Sequence, residues 1–587
     1  MNQKISILRN ICYLLQKNQH IVTDISLQKC FLFKSKNFRK GGVCLYSRVY
    51  SAVLHGLDGR LVTVEADLSN GLPGVDMVGA LSTEVREAMW RVRTALKNMG
   101  FSMPPKKIVI NLAPASLRKT GTGFDLPIAV AALSVLDAFP GKTLETCLFV
   151  GELGLEGEIR PVPGVMSILE CAAREGLAMA VVPKENEREA KAAGKLPVFG
   201  VSHLNQVLEL LKKPDQMKNI RPEPEQPERF FWEELEKTKQ KHGAAGGNSR
   251  KRGTGDSERE QEENRETVDF SDIRGQEAAK RAAEIAAAGG HNLILVGAPG
   301  AGKSMIAKAL SGILPSMTWE ECREVSRIYS VCGKTTGDQP LVWERPFQAP
   351  HHTVPVTALT GGGMPPKPGV FSLATHGILF FDEFPEFSRG ALEALRQPLE
   401  ERNVVVSRLG GTFVFPADFM LVAAMNPCPC GCYPNRQKCT CSDWQIRRYQ
   451  AKLSRPLLDR FDLGVIVEPP PVWTLQRTTP AETSEAIRNR VTAARRRQQK
   501  RAEQRNEPFT VNAALSAGKL EKICMFGKEE DEFWKQVCSR MEISARAYYK
   551  ILRTARTIAD LEGTEAVETV HLKEALSFRA DFERVGF

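Results

Sequence analysis

The chain has 587 residues, of which 42% are hydrophobic and 25% are charged, and its 80 lysines and arginines outnumber 69 acids to give a net charge of +11. This usage is that of ordinary globular proteins, and the length suffices for several domains with sizeable cores. Because no apolar run reaches the roughly 18 residues that a transmembrane helix needs, the pattern excludes a transmembrane helix.

The excess positive charge is concentrated in two segments. Residues 1–45 and residues 486–505 each carry eight lysines and arginines against one acid. The remainder of the chain is slightly acidic. This distribution excludes a uniformly basic nucleic-acid coat, and it favours localised contacts with any polyanion that the protein binds.

The cysteines indicate a reducing compartment. Fourteen are present, five of them within residues 428–441, and the others are scattered singly. A secreted disulfide scaffold has a different pattern, so we expect a cytoplasmic protein. Residues 1–45 lack the apolar core and the small-residue cleavage site of a secretory signal, and we expect them to be a non-native or disordered leader.

The first half of the chain predicts one folded domain and one linker. Alternating apolar runs at residues 60–66 and 107–112 predict strands, and helical patterns lie at residues 84–99 and 125–136. Such alternation predicts a compact α+β domain. The segment after it is rich in charge and glycine and poor in aliphatic residues, so it cannot offset the entropy of ordering. The predicted units are a domain at residues 46–212 and a disordered linker at residues 213–268.

The second half predicts an α/β core followed by helices. Apolar runs predict strands at residues 293–296, 378–381 and 419–424, a helix at residues 388–399 and a hairpin at Val404–Phe415. The fold class is therefore α/β, with an N-terminal α+β domain, a core built on a parallel sheet at residues 269–470, and a C-terminal helical lid at residues 471–587.

A glycine-rich loop follows the first strand of this core. Its sequence GAPGAGKS fits G-x-x-x-x-G-K-[ST], and it opens a helix, which is the context expected of a P-loop. Lys303 is expected to reach the β- and γ-phosphates of ATP, and Ser304 to hold Mg²⁺. The predicted ATP-binding residues are Gly297, Ala298, Pro299, Gly300, Ala301, Gly302, Lys303 and Ser304.

Polar residues end the next two apolar strands. Asp382 and Glu383 follow the run GILFF directly, and Asn426 ends the run LVAAM. Asp382 is suited to hold Mg²⁺ through water and Glu383 to polarise an attacking water, and the upstream P-loop favours these roles over two solvated acids. In a parallel sheet the side chain of Asn426 is expected near the γ-phosphate.

Two arginines further along are candidates for stabilising transition-state charge. Arg460 lies in the segment LLDRFD, and Arg546 opens a strongly periodic helix. A cation supplied across a subunit boundary performs this role in nucleotide hydrolases. Surface salt bridges are the alternative interpretation of both residues.

The motifs GAPGAGKS, FQAPHHT, GILFFDEFPEF, LVAAMNPCPCG, RPLLDRFD and SARAYYKILRTARTIADLEG occur in this order. Together they resemble the magnesium-chelatase-like AAA+ ATPases, and in particular the YifB/ComM family, over nearly everything from Leu45 to the C-terminus. The resemblance implies that Asn426 is sensor 1, Arg460 the arginine finger and Arg546 sensor 2, with Arg455 as a second candidate finger. It also implies a homo-hexameric ring with ATP between subunits.

The same resemblance bears on the N-terminus of the chain. Family members begin with Met at the position of Leu45, directly before Tyr46. We therefore expect residues 1–45 to lie upstream of the native start, with Leu45 as a non-AUG start codon.

Residues 107–187 resemble the catalytic domain of Lon protease. The stretch KTGTGFD places Gly123 where Lon has its serine nucleophile, and the stretch PVPGVM places Met166 where Lon has its lysine base. A Ser/Lys mechanism needs a hydroxyl and an amine that can lose its proton, and neither replacement supplies one. We expect the fold to remain and proteolysis to be absent.

Two segments resemble the pore-facing insertions of this AAA+ clade. Phe347–Phe371 corresponds to the helix-2 insertion and Val404–Phe415 to the presensor-1 hairpin, where Arg408 could contact phosphate. His351 and His352 have no third ligand at usable spacing, which argues against a metal. For the basic run at residues 488–505 a solvated helical face is favoured, and a DNA-facing role is the alternative.

The clustered cysteines could hold zinc. Four thiolates bind Zn²⁺ tetrahedrally and leave no position open for substrate, so the role would be structural. The spacing departs from paired C-x₂-C motifs, and five candidates leave the ligand set open. A structural zinc site and a reduced cysteine-rich loop both remain as interpretations of Cys428, Cys430, Cys432, Cys439 and Cys441.

The function predicted from these observations is that of an ATP- and Mg²⁺-dependent ring motor. The resemblance implies a helicase or branch-migration factor that acts on single-stranded or branched DNA, without a membrane partner, in recombination during natural transformation. The alternatives are a magnesium-chelatase-type motor and a protein-remodelling ATPase. The Lon-like domain favours the DNA motor, because chelatase motor subunits lack it.

Overall fold

The computed structural model describes residues 39–40, 43–44, 46–213, 268–469 and 482–584, apart from residues 102, 137, 140, 336, 338, 409, 410, 525 and 542. The predicted leader and the predicted linker lie almost wholly outside the described residues. Among those residues, no helix has the length and apolar character needed to cross a bilayer.

The N-terminal domain is built on a seven-stranded mixed sheet. A separate two-stranded ribbon, β1 (Arg39–Lys40) with β2 (Val43–Cys44), precedes it. Its elements are β3 (Tyr46–His55), β4 (Asp58–Ser69), β5 (Gly74–Val78), α1 (Thr83–Asn98), β6 (Lys107–Ala113), α2 (Asp125–Val135), β7 (Cys147–Phe149), β8 (Glu152–Leu153), β9 (Ile159–Arg160), α3 (Val165–Arg174), β10 (Met179–Pro183), α4 (Glu187–Ala192), β11 (Val198–Val201) and α5 (Leu204–Lys212).

The strand order of this sheet is β11-β10-β7-β3-β4-β6-β5. The β3–β4 and β4–β6 pairs are antiparallel and the other neighbouring pairs are parallel. Buried and half-buried residues alternate along β6, the pattern of a strand with one face in the core, and this strand covers the one predicted at residues 107–112. Helix α2 is buried on every side, and its sequence is apolar apart from Asp125 and Ser134.

The predicted ATPase core has a five-stranded parallel sheet in the order β13-β16-β19-β12-β20. Its elements are α6 (Glu277–Gly289), β12 (Leu293–Gly297), α7 (Lys303–Ser311), α8 (Trp319–Val331), β13 (Phe347–Gln348), α9 (Val356–Thr360), β14 (Gly361–Gly362), β15 (Lys367–Pro368), α10 (Val370–Leu373), β16 (Ile378–Phe381), α11 (Arg389–Ala394), α12 (Arg396–Glu401), β17 (Asn403–Arg408), β18 (Gly411–Pro416), β19 (Met420–Met425), α13 (Asp443–Gln450), α14 (Arg455–Leu458) and β20 (Leu463–Val467).

The central strands of this core are buried throughout. Every residue of β12, β16 and β19 is buried, which matches their continuous apolar sequences and requires helices on both faces of the sheet. The α/β fold class with a parallel sheet is confirmed.

The prediction of a single helix at residues 388–399 is wrong in one respect. The segment forms two short helices, α11 and α12, with Leu395 between them. Pro398 has no N–H to donate to the carbonyl of Ala394, so the helical ladder is interrupted at this point.

The predicted hairpin is present as β17 and β18, which extend one residue beyond the prediction at each end. Arg408 pairs with Gly411, and the two connecting residues, 409 and 410, lie outside the described residues. Phe413 and Phe415 are buried on the inner face, whereas Val414 is 57% exposed on the outer one.

The C-terminal part consists of helices, as predicted. They are α15 (Ser484–Gln504), α16 (Ala517–Ile523), α17 (Lys528–Met541), α18 (Ala545–Glu562) and α19 (Thr569–Arg584). Apolar residues of α15, α18 and α19 share one core with α6 and the sheet, so this part packs on the ATPase core.

Several arginines of the basic helix α15 have partners within the chain. Arg488, Arg490 and Arg497 are exposed, as the favoured prediction of a solvated face requires, although these three and the half-buried Arg495 and Arg501 also find partners on neighbouring segments. Arg488 donates to the carbonyl of Gly312, Arg490 pairs with Glu284 and Glu482, Arg495 donates to the carbonyl of Ala287, Arg497 donates to the carbonyl of Asp560, and Arg501 pairs with the Asp560 carboxylate.

Helix α8 of the ATPase core packs on the N-terminal domain. Arg327 donates from Nη2 to the carbonyl of Leu57 at 2.9 Å and from Nε to the hydroxyl of Ser167 at 3.1 Å. Arg323 donates from Nε to the carboxylate of Glu170 at 3.1 Å. Such charge-assisted and partly buried bonds define the orientation of one domain on the other.

The residue at the position of Lon's lysine lies in this interface. The backbone N–H of Gly164 donates to the carbonyl of Ser330 at 3.0 Å, and the Ser330 hydroxyl donates to Glu189, a carboxyl whose pKa is raised by burial. The Met166 side chain is fully buried beside these bonds, packed with Ala192 of its own domain and with Met317, Cys322, Val325 and Leu341 of the ATPase core. An apolar residue is therefore needed where Lon has an amine.

We expect Met166→Lys to destabilise the protein by about 3 kcal/mol or more, because it buries an unpaired charge between two domains. Thermal unfolding of the variant measures this loss. Met166→Leu is the matched control and should cost less than about 1.5 kcal/mol, since it keeps the volume and the apolar character. Equal unfolding midpoints for the two variants would contradict the burial of this position.

Candidate nucleotide site and cysteine cluster

Three parallel strands bring the predicted nucleotide-binding residues to one edge of the sheet. β16, β19 and β12 are consecutive in the sheet, and each is followed directly by polar or glycine-rich sequence. The carboxyl ends of parallel strands are where open α/β sheets bind ligands. A cavity of about 380 Å³ lies there, lined by Pro299, Gly300, Ala301, Gly302, Lys303, Ser304, Met305, Asp382, Glu383, Met425 and Asn426.

The P-loop holds Lys303 in place through three acceptors. Gly302 precedes α7 with φ +90°, a left-handed conformation that suits glycine, and α7 begins at Lys303. The ammonium of Lys303 donates to the carbonyls of Gly297 at 2.7 Å and Ala298 at 2.8 Å, and to Oδ1 of Asn426 at 3.1 Å. Gly297 and Ala298 therefore contribute carbonyl groups to the site.

Burial is the dominant influence on the charge of this lysine. Burial lowers the pKa of the Lys303 ammonium, and the carboxylates of Asp382 and Glu383 act in the opposite direction. The amine lies beside the glycine-rich loop that lines the cavity, an arrangement that suits the phosphates of ATP.

Ser304 and Asp382 form a pair that fits Mg²⁺. The Ser304 hydroxyl donates to Oδ2 of Asp382 at 2.7 Å, and the N–H of Glu383 donates to Oδ1 of the same carboxylate at 2.9 Å. A hydroxyl and a carboxylate are oxygen ligands of the kind that Mg²⁺ takes in P-loop hydrolases.

Glu383 is held in an uncommon backbone conformation. Its φ of +50° and ψ of +45° are left-handed, which is unfavourable for a residue with a Cβ and is often found at functional sites. Its carboxylate lies 3.7 Å from Nδ1 of His352. The interpretation of the histidine pair as a possible metal site missed this proximity, for which the motif FQAPHHT was the available signal.

The candidate arginines lie outside this cavity. None of the described residues that line it is an arginine. Arg460 pairs with Glu400, and the pKa of its guanidinium is lowered by burial and by the charges of Arg546 and Arg396. Arg455 is exposed at the start of α14. The structure thus separates these arginines from Lys303, Asp382, Glu383 and Asn426, and it brings Arg460 and Arg546 near each other.

Four of the five clustered cysteines converge. The Sγ atoms of Cys428, Cys430, Cys439 and Cys441 all lie within 4.8 Å of one another, and three of the separations are 3.4, 3.6 and 3.8 Å. Metal–sulfur bonds of about 2.3 Å in a tetrahedron require sulfur–sulfur edges of about 3.8 Å. The backbone N–H of Cys432 lowers the pKa of the Cys430 thiol to about 5, which favours a thiolate there.

Cys432 lies outside this group of four. Its thiol contacts the carbonyl of Cys430 at 3.7 Å. The sequence left the ligand set open among five cysteines, and the described structure narrows the set that could hold a metal to four.

The cysteine loop packs against the nucleotide site. Gly431 lies so close to the P-loop that a Cβ added there would be 2.3 Å from Cδ of Pro299, and its φ is +80°. On the other side, the backbone N–H of Asn426 donates to the side chain of Tyr449 on α13. The loop therefore supports the P-loop, and helix α13 contacts the end of β19.

We expect Gly431→Ala to weaken ATP binding by about tenfold, which corresponds to about 1.4 kcal/mol, because the methyl group would displace Pro299. Equilibrium titration with a fluorescent ATP analogue measures the change. Gly518→Ala is the matched control, since open space surrounds that helical glycine. The same Kd for both variants would show that the loop does not support the P-loop.

Family models of the magnesium chelatase subunit ChlI match three parts of the chain. The model described as magnesium chelatase, subunit ChlI, matches residues 269–474, subunit ChlI of Mg-chelatase matches residues 64–186, and the ChlI C-terminal model matches residues 481–579. An archaeal Lon protease of Archaeoglobus fulgidus is 27% identical over 164 residues, which are 27% of this chain and 26% of that protease.

Two relatives match over nearly their whole length. Competence protein ComM of Haemophilus influenzae is 40% identical over 534 residues, which cover 91% of this chain and 97% of ComM. YifB of Salmonella typhimurium is 39% identical, over 91% of this chain and 96% of YifB. With its Lon-like N-terminal region and its intact P-loop core, the chain belongs to the YifB/ComM family of magnesium-chelatase-like AAA+ ATPases.

Proposed function

We propose that this protein is an ATP-hydrolysing hexameric motor that acts on DNA, as a helicase or branch-migration factor in recombination during natural transformation. The observation that carries the proposal is likeness to a competence protein over 97% of that protein's length. The cavity that unites Lys303, Ser304, Asp382, Glu383 and Asn426 supplies the ATP site that such a motor needs. The proposed compartment is the cytoplasm.

Each residue of the cavity has a proposed task in hydrolysis. Lys303 and the P-loop bind the phosphates, Ser304 and Asp382 hold Mg²⁺, which neutralises phosphate charge, and Asn426 orients the γ-phosphate. Glu383 is the proposed base, since its carboxylate lines the cavity.

Arg460 and Arg546 are proposed to act on a neighbouring subunit's nucleotide, which is why a ring is required. Both lie outside the lining of the chain's own cavity, although arginines of this kind stabilise transition-state charge by direct contact. Arg546 is exposed and free to meet a neighbour.

DNA contact is proposed for the hairpin β17–β18 and the insertion beside it. Arg408 is exposed near the turn, and its Nη2 lies 3.4 Å from where a Cβ of Gly362 would be, so the hairpin and the insertion form one surface. One phosphate contact is weak, but a ring repeats it in every subunit. Such contacts are independent of DNA sequence.

A magnesium-chelatase-type or protein-remodelling ATPase is the alternative, favoured by the ChlI family models. Proteolysis is not proposed. The residues at Lon's two catalytic positions are Gly123 and the fully buried Met166, and neither offers a nucleophile or a base.

The cysteine cluster is proposed to hold one structural zinc ion through Cys428, Cys430, Cys439 and Cys441. The support is the convergence of four Sγ atoms at spacings close to the edges of a zinc–sulfur tetrahedron.

We expect forked or three-stranded DNA to stimulate ATP hydrolysis and to undergo ATP-dependent strand displacement. Glu383→Gln should still bind ATP and assemble, but it should lower turnover by about 10²-fold or more, because the base is lost. Coupled ATPase and strand-displacement assays measure both effects. Normal hydrolysis by Glu383→Gln would refute the base assignment, and intact basal hydrolysis without any DNA response would favour the alternative function.

We expect about one zinc ion per chain by inductively coupled plasma mass spectrometry of the purified protein. Cys439→Ser should lose most of this zinc, because three thiolates bind it less tightly. Cys432→Ser is the matched control and should retain it. Zinc-free wild-type protein, or equal loss in both variants, would overturn the proposed ligand set.

A further inference from the structure

A cluster of arginines next to Arg460 is not accounted for by the chain's own nucleotide site. Arg460 follows α14 by two residues, and Ser454 is the N-cap of that helix. Arg396, the first residue of α12, donates from Nη2 to the hydroxyl of Ser454 at 3.2 Å. Glu400, one turn further along α12, pairs with Arg460. Two helices thus bring Arg396 and Arg460 to the same place.

The charges of this cluster are incompletely matched. Arg396 has an ion pair with Glu393 at 3.0 Å, and Arg460 has its pair with Glu400, whereas the described residues offer Arg546 no ion pair. The Nε of Arg460 is buried and has no hydrogen-bond acceptor within the described structure. A buried donor without an acceptor costs free energy that an incoming anion recovers.

The like charges influence one another directly. After burial, the charges of Arg546 and Arg396 are the causes that lower the pKa of the Arg460 guanidinium. Side chains of Arg396 and Arg460 are 39% and 24% exposed, so the cluster is open to a partner. Converging guanidinium groups with open donors form a site for a phosphate, which they bind through charge-assisted and bidentate bonds.

We propose that Arg396 joins Arg460 and Arg546 in a three-arginine site that receives the terminal phosphate of a nucleoside triphosphate bound to the neighbouring subunit. The inference rests on the proposed ring. It adds Arg396 as a catalytic residue: on assembly its guanidinium leaves Ser454 and Glu393 and donates to the phosphate oxygens. The acids hold the arginines in place before assembly, which offsets their mutual repulsion.

The first test measures turnover in single variants. Arg396→Ala should lower ATP turnover by about tenfold or more, and Arg460→Ala by about 10³-fold, the scale of a lost arginine finger, while ATP binding to each variant stays unchanged. Arg389→Ala removes an exposed arginine from the preceding helix and is the matched control, expected to leave turnover as it is. Wild-type turnover in Arg396→Ala would overturn the proposal.

The second test uses mixed rings, which separate action in trans from a structural role. Lys303→Ala subunits cannot bind ATP but carry intact arginines. Mixed with Arg396→Ala subunits, they form sites with an intact P-loop and intact arginines, so activity should exceed the sum of the two separate preparations. If mixing rescues Arg460→Ala and not Arg396→Ala, Arg396 acts only within its own subunit and the proposal is overturned.

Native mass spectrometry of the same samples distinguishes failure of this inference from failure of the ring. Hexamers in which only the Arg396→Ala mixture lacks rescue overturn the three-arginine site alone. Monomers under turnover conditions, with no rescue of either arginine variant, overturn the proposed ring and the three-arginine site together.

Discussion

The adjacency of β16, β19 and β12 is the constraint on which the rest of the molecule depends. Parallel strands that are neighbours in a sheet end at the same edge, so residues more than a hundred positions apart meet around one cavity. The strands can be central only because every one of their residues is apolar and buried. The hydrogen bond between Lys303 and Asn426 connects the ends of the adjacent strands β12 and β19. It thereby fixes the position of the P-loop on the sheet.

Other parts of the chain are attached to this edge or to the helix that follows it. The cysteine loop begins two residues after Asn426 and returns to touch Pro299, so a metal bound by its thiolates would stiffen one wall of the cavity. Helix α8, which follows the P-loop helix, carries the arginines that hold the N-terminal domain. The position that corresponds to Lon's base is thereby used for packing between the two domains.

Much of this arrangement can be read from the sequence, because local patterns carry it. The P-loop, the strand at residues 378–381 and the hairpin are stretches whose own composition specifies their structure. Contacts between segments that are distant in the chain have no such local sequence pattern. Gly431 against Pro299, His352 beside Glu383 and Met166 under α8 each depend on how separate elements pack. Cys432 shows the same limit, since spacing alone does not tell which four of five thiols converge.

The distribution of charge decides where a polyanion can be bound. Arg490 and Arg501 of the basic helix are engaged by carboxylates of the chain, whereas the described structure gives no ion pair to the other lysines and arginines at residues 488–505. Positive charge is also available at Arg408 on the hairpin, which is exposed, and at the arginines around Arg460, where buried donors lack acceptors. These two places differ in what they can bind. A single exposed guanidinium binds a phosphate backbone weakly, and its affinity increases when the contact is repeated along the backbone. Several converging guanidinium groups suit one highly charged phosphate group.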